Sequence, residues 1–70
     1  MIVIKEIHEF FKNDENIGSC VLMKVGQRTV YGEYQGLIGN GAVAIVTENG
    51  TGVKMPVAIW GIDFLSTPLG

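Results

Sequence analysis

The sequence contains few charges, one cysteine and no long apolar run. Lysine, arginine, aspartate and glutamate make up 17% of its 70 residues, against about 25% in ordinary globular domains. The single cysteine, Cys20, excludes an internal disulfide, and with the single histidine, His8, it cannot form a protein-built zinc site. The longest apolar runs, such as residues 42–46, are far shorter than the ~20 residues of a membrane helix. The sequence therefore predicts neither a disulfide scaffold nor a membrane protein.

The first residues also lack the pattern of an export signal. Lys5, Glu6, His8 and Glu9 interrupt the apolar residues, and no basic start is followed by a clean apolar stretch. Together with the single cysteine, this predicts a cytoplasmic protein.

The charge balance excludes a strongly basic nucleic-acid binder. Residues 1–17 carry a net charge of −2, and the rest of the chain is neutral. An assembly of several copies could still concentrate the three later cations on one face. Enzyme chemistry has no support either, because no nucleophile is placed beside His8 by motif, and Glu33 and Asp63 do not form an acid and base pair by motif. We therefore expect no enzyme activity, no cofactor, no metal and no small-molecule substrate.

Apolar residues, by contrast, are abundant. Counting glycine and leaving out tyrosine, 41 of the 70 residues are apolar, about 59% against a usual ~45–50%. A folded monomer of this size buries only about 60% of its chain surface, and the few charges cannot cover the remainder. The composition favours a surface that is partly covered by further copies or by a partner.

The chain changes character at Gly18, the first of ten glycines. Before it, Ile4, Ile7, Phe10 and Phe11 follow the spacing of one apolar helix face. Residues 13–16 break that pattern. We therefore expect an N-terminal helix and linker over residues 1–17, a folded domain over 18–66 and a tail over 67–70.

After Gly18 the pattern predicts five strands separated by glycine-containing turns. The predicted strands are Cys20–Val25, Arg28–Ile38, 42–47, 53–60 and 62–65. Gly32 and Gly36 indicate strong bending of the second one, and Pro56 is expected at an edge or bulge. The predicted fold is mainly β: an N-terminal α-helix followed by a five-stranded, strongly bent antiparallel SH3-like small barrel. A five-stranded oligonucleotide-binding barrel and a plain SH3-like barrel are the alternatives.

The order of a helix and five strands resembles the Sm, LSm and Hfq family over most of the chain. Gly32 occupies the position of the family's bend glycine, and Tyr34 that of the apolar residue two places later. Residues 59–64, Ile-Trp-Gly-Ile-Asp-Phe, are similar to the second family motif, with Trp60 where the family has arginine.

The resemblance implies a homo-oligomeric ring of five to seven subunits that binds single-stranded RNA. Without a gap, Ala42 takes the position of the family's asparagine, whereas a loop two residues shorter places Asn40 there. We prefer the shorter loop, because a Gly-Asn-Gly tripeptide is typical of a turn tip. The candidate RNA-binding residues are Arg28, Gly39, Asn40, Gly41, Lys54, Trp60 and Gly61.

Each candidate also has a purely structural interpretation. Trp60 could stack a base, or pack in an interface between subunits. Asn40 could bind a base edge, or only serve a turn that needs a positive φ. Arg28 and Lys54 could line a basic surface, or simply lie in solvent at the ends of strands. The alternative function is a ring that acts as a structural or scaffold module for protein partners, with little or no RNA binding.

Overall fold

One antiparallel sheet of six strands forms most of the chain in the computed structural model, which describes residues 1–68. The strands are β1 (Ile2–Val3), β2 (Cys20–Val25), β3 (Arg28–Ile38), β4 (Val43–Glu48), β5 (Lys54–Ala58) and β6 (Ile62–Thr67), and the helix α1 spans Ile7–Lys12. Two short 3-10 helices cover Asp14–Asn16 and Ile59–Gly61. The spatial order is β1-β6-β2-β3-β4-β5. The predicted mainly β fold with an N-terminal helix is confirmed, but within residues 1–68 the sheet does not close into a barrel.

The N-terminal segment differs from the predicted helix. Ile2 and Val3 pair with Thr67 and Ser66 of β6, and the helix begins only at Ile7. The Ile4 amide donates to the Leu65 carbonyl oxygen at 2.9 Å. Three consecutive β-branched residues favour extended backbone, and the β6 edge supplies their hydrogen-bond partners. Periodicity placed Ile4 on a helix face because it ignored this competing sheet edge.

The strand boundaries follow the predicted pattern closely. The bounds of β2 and β3 are confirmed, and β4 begins and ends one residue later than predicted. β5 is shorter than residues 53–60, because Ile59–Gly61 turns into a 3-10 helix. β6 continues to Thr67, so the predicted tail is wrong at that residue. Leu69 and Gly70, also assigned to the tail, lie outside the described residues.

β3 is long because its two halves belong to different ladders. Residues 28–33 pair with β2, and residues 32–38 pair with β4, with an irregularity between Tyr34 and Gly36. At Gly32, where the two ladders overlap, a side chain would collide with the Thr47 carbonyl oxygen of β4. Gly36 has a φ of 127°, which side chains rarely adopt. The structure thus shows a close backbone approach at Gly32 and an irregular backbone at Gly36, which are the roles expected of glycine inside a strand.

Pro56 lies on the exposed edge of the sheet, as predicted. β5 pairs only with β4 within the described chain. The Ile59 amide donates to the Ala42 carbonyl, and the Glu48 amide donates to the Val53 carbonyl. Backbone hydrogen-bonding groups alternate in direction along a strand. The backbone amides and carbonyls of the odd-numbered residues of β5 therefore point to β4, and those of Lys54, Pro56 and Ala58 point to the outer edge. The missing Pro56 amide therefore costs no bond within the sheet and blunts its free edge.

The core lies between the bent sheet and α1. Its buried side chains come from α1, from the second 3-10 helix and from every strand except β1, and in β2, β3 and β4 they alternate as a sheet with one inner face requires. They are Phe11, Val21, Met23, Val30, Tyr34, Ala44, Val46, Val57, Ile59, Ile62 and Leu65. The Phe11 and Tyr34 rings meet edge to face with centroids 4.8 Å apart. The Tyr34 hydroxyl donates to the Phe11 carbonyl at 2.7 Å, which satisfies an oxygen that the end of α1 leaves unpaired.

Replacing Tyr34 by phenylalanine is expected to lower the free energy of unfolding by about 1–2 kcal/mol. The substitution keeps the ring but leaves the Phe11 carbonyl buried without its donor. Denaturant unfolding followed by circular dichroism measures the change. An exposed tyrosine serves as the matched control: Tyr31→Phe at 38% exposure is expected to change stability much less.

Tyr34→Phe also tests how the burial of this hydroxyl affects the stability of the protein at alkaline pH. Burial, and secondarily the negative charge of Asp14, raise the pKa of Tyr34 above its ordinary value of 10.0. The unfolded chain therefore loses this proton at a lower pH than the folded chain. The protonated Tyr34 hydroxyl therefore makes its full contribution to the free energy of unfolding below pH 10. This contribution declines as the pH rises above that value. Tyr34→Phe should remove this part of the decline, and an unchanged alkaline slope would contradict the assignment.

Candidate nucleic-acid interface

Trp60 is the most exposed large apolar side chain in the described part of the protein. Its relative exposure is 79%, whereas its neighbour Ile59 is buried at 2%. The Ile59 amide donates to the Ala42 carbonyl at 3.0 Å, and this bond ties the 3-10 helix to β4. Ile59 is thus the anchor of the helix, and Trp60 is the residue that this anchor presents to solvent.

The indole of Trp60 is supported on one side by α1. The rings of His8 and Trp60 have centroids 4.2 Å apart and planes inclined at 50°. The His8 Nε2 atom is buried and has no hydrogen-bond partner among residues 1–68. The His8 ring therefore contacts the indole from α1 at an inclined angle. Spacing along the sequence could not reveal this contact, since the two residues are 52 positions apart and no motif links them.

The Gly39–Asn40–Gly41 turn has left-handed backbone at all three residues. Their φ values are 61°, 58° and 84°, and Asn40 is the only non-glycine residue with positive φ in residues 1–68. The structural interpretation of Asn40 as a turn residue is therefore confirmed. Asn40 is also exposed at the tip. Its side chain remains available for a ligand, because the turn needs only its backbone.

Backbone contacts place this turn beside Trp60. The turn is followed directly by Ala42, whose carbonyl accepts from Ile59. At the other end of the same 3-10 helix, a Cβ added to Gly61 would lie 3.7 Å from the Val25 Cγ1 atom, and Val25 is the register partner of Arg28. These contacts therefore connect the turn at Asn40 and the β2–β3 turn to opposite ends of the Ile59–Gly61 helix. We call Arg28, Gly39, Asn40, Gly41, Trp60 and Gly61 the Trp60 surface.

Lys54 is not brought into the Trp60 surface. It lies opposite Thr47 at the start of β5, whereas the 3-10 helix with Trp60 follows the end of that strand. Four residue steps of extended backbone separate the ends of β5 by about 13 Å. The prediction that Lys54 joins the other candidates has no geometric support.

Near Lys54 the surface is acidic instead. An open cavity of about 570 Å³ is lined by Cys20, Gly32, Glu33, Gln35, Thr47, Glu48 and residues 49–52. Glu33 accepts from the Gln35 side-chain amide at 2.8 Å, and Glu48 accepts from the Thr51 hydroxyl at 2.7 Å. The two carboxylates are thus engaged by their own neighbours. No group of three or more candidate metal ligands occurs in residues 1–68.

No protein-family model, curated protein or solved structure matches the chain. The family resemblance therefore remains an interpretation of the motifs around Gly32 and Trp60. Among the described residues, no helix is long and apolar enough to span a membrane.

Proposed function

We propose that this chain is a cytoplasmic, Sm-like module that self-assembles and binds single-stranded RNA at the Trp60 surface. The observation that carries the proposal is the exposed indole of Trp60, which His8 supports from α1. An exposed aromatic ring that is already held in place is a suitable platform for an unpaired base. Stacking on such a ring contributes about 1–3 kcal/mol per base.

The neighbours of Trp60 supply the other contacts that RNA requires. Asn40 presents a side-chain amide, which both donates and accepts hydrogen bonds and suits a base edge. Arg28 supplies a cation for the phosphate backbone. The exposed glycine amides of Gly39 and Gly41 allow a close approach of the nucleic acid. One aromatic, one amide and one cation per subunit form a small site, so repetition in an assembly is needed for useful affinity.

The arrangement of the strands supports the Sm-like interpretation. The helix is followed by five antiparallel strands, β2 to β6, and the backbone of β4 approaches closely at Gly32, the position of the family's bend glycine. In that family a ring of five to seven subunits forms when the fourth strand of one subunit pairs with the fifth strand of the next. These strands correspond to β5 and β6 of this chain. β5 has a free outer edge in the single chain.

The exposed apolar side chains are a second argument for assembly. Ile38, Val43 and Ala58 form one row across the outer face of β3, β4 and β5. Ile38 is 53% exposed, and Val53 before β5 is 55% exposed. This row ends next to the 3-10 helix that carries Trp60. Contact between copies would cover apolar area that the few charges leave open to water.

The direct test of the proposal is fluorescence anisotropy with short labelled U-rich and A-rich RNA at low salt. We expect saturable binding that weakens as salt is raised, because Arg28 replaces counterions of the phosphates. Light scattering on the same samples gives the mass of the assembly. Failure of an intact assembly to bind either RNA would overturn the RNA-binding part.

A charge comparison tests where the RNA lies. Arg28→Ala is expected to weaken binding and to reduce the slope of log affinity against log salt by about 0.7 for each lost phosphate contact. Lys54→Ala is the matched control: it also removes one cation, but Lys54 lies outside the Trp60 surface. Equal losses for both variants would contradict the location of the site.

The second candidate function is a scaffold for protein partners. The specific observation in its favour is the exposed apolar row, which contains no charge. Trp60→Ala and Asn40→Ala distinguish the two candidates. Loss of assembly assigns these residues to an interface, whereas loss of RNA affinity at unchanged mass assigns them to RNA binding.

A further inference from the structure

The outer edge of β6 is occupied by residues of the same chain. Ile2 and Val3 pair with Thr67 and Ser66, and the Ile4 amide donates to the Leu65 carbonyl at 2.9 Å. On its other side β6 pairs with β2 through residues 62–66. Backbone hydrogen-bonding groups alternate in direction along a strand. The backbone groups of Leu65 and Thr67 therefore point to β1, and those of Asp63 point to the part of the same edge that β1 does not cover.

The strand that covers this edge is held by few interactions. β1 has two residues, whereas strands usually have about five or six. The side chains of Ile2 and Val3 are 47% and 50% exposed, so each buries only part of its apolar surface. β1 and Ile4 thus cover only the second half of the β6 edge, Leu65–Thr67, with little packing of their own.

We propose that β1 is a displaceable cap, and that a strand of a second copy replaces it on the β6 edge. The inference rests on the proposed self-assembly and adds what controls it. The two occupants exclude each other, because the outward backbone groups of Leu65 and Thr67 cannot bond to β1 and to another strand at once. The capped chain is a monomer, and the uncapped chain is the unit that assembles.

The free edge of β5 is the strand of a second copy that fits best. Lys54 is the only charged residue of β5, and Asp63 is the only charged residue of β6. The two strands thus carry single charges of opposite sign, and the Asp63 carboxylate also accepts from the Gly26 amide at 3.1 Å. The outward position of Pro56 removes one amide from this ladder, so the incoming strand forms few bonds. Both β1 and the β5 strand of a second copy are thus held on the β6 edge by few bonds. A small change in the strength of either pairing therefore shifts which of the two strands occupies the edge.

A disulfide that locks the cap gives the sharpest test. Val3 and Ser66 are directly opposite in register and form a non-hydrogen-bonded pair, whose closely spaced Cα atoms suit a disulfide. We suggest V3C and S66C together with C20A, which removes the native thiol. The C20A chain is the parent for comparison. Oxidised and reduced forms of one protein then differ only in the lock, and light scattering over a concentration series measures their mass.

A second variant loosens the cap without a disulfide. I2P removes an amide that faces β6, and I2A truncates the same side chain but keeps the amide. The loss of one such hydrogen bond is expected to lower the concentration for half-assembly by about tenfold. I2A should shift it much less.

The expected result is a monomeric oxidised form at concentrations where the reduced form and the C20A parent assemble, together with easier assembly of I2P. Assembly of the oxidised form at the concentration of the parent would overturn the cap and leave the proposed function intact. An unchanged midpoint for I2P would also overturn it. If the parent, the reduced form and I2P are all monomeric throughout, the proposed self-assembly itself fails.

Discussion

Replacing Gly32 by alanine is expected to lower the free energy of unfolding by about 3 kcal/mol, the upper part of the usual range for overpacking. The added Cβ would collide with the Thr47 carbonyl oxygen and approach the Glu48 Cα atom. These are backbone atoms of β4, so no side-chain rotation can relieve the contact. The loss is a large fraction of the stability of a domain this small.

Thermal and denaturant unfolding of Gly32→Ala measure this effect. Gly61→Ala is the matched control, because its Cβ would make only an ordinary contact of 3.7 Å with Val25. We expect the control to unfold close to the wild type. A Gly32→Ala protein with an unchanged midpoint would show that β4 does not approach Gly32 as closely as the structure has it.

Replacing Trp60 by alanine is expected to weaken RNA binding by about 10- to 100-fold, which corresponds to the loss of one stacked base. The side chain is 79% exposed, so its removal should change the free energy of unfolding by no more than about 0.5 kcal/mol. The effect is therefore separable from folding. Anisotropy with labelled RNA measures affinity, and light scattering shows whether the assembly is retained.

Two further variants sharpen the test of Trp60. Trp60→Phe keeps an aromatic face and should recover most of the lost affinity. His8→Ala removes the support 4.2 Å away but leaves the indole, so its effect should lie between those of the other two. If Trp60→Ala binds RNA as tightly as the wild type, the indole does not stack a base.

Local patterns predicted the strands better than the N-terminal segment. Alternation and turn chemistry are properties of neighbouring residues, and they located β2, β3 and the turn at Asn40. Ile2 and Val3 were assigned to the helical segment because their partner, the end of β6, is more than 60 residues away. A single-sequence pattern contains no information about such a distant edge.

In the candidate site, too, local patterns identified residues, whereas contacts between distant parts of the chain were missed. The Gly-Asn-Gly tripeptide and the motif around Trp60 identified residues that the fold brings together. The support from His8 was missed, because a helix position with polar neighbours does not indicate what packs on it. Lys54 was included for its charge alone. Its position depends on the direction of β5, which carries it away from Trp60.

Intrinsic fluorescence directly tests whether an RNA base stacks on Trp60, because Trp60 is the only tryptophan of the chain. U-rich or A-rich RNA is added to the assembled protein at low salt, and the indole emission is recorded. A stacked base quenches the indole, so we expect saturable quenching at unchanged mass, reversed by added salt. Emission that stays constant through an excess of both RNAs would contradict the account. A blue shift that follows protein concentration without RNA would instead place Trp60 in an interface between copies.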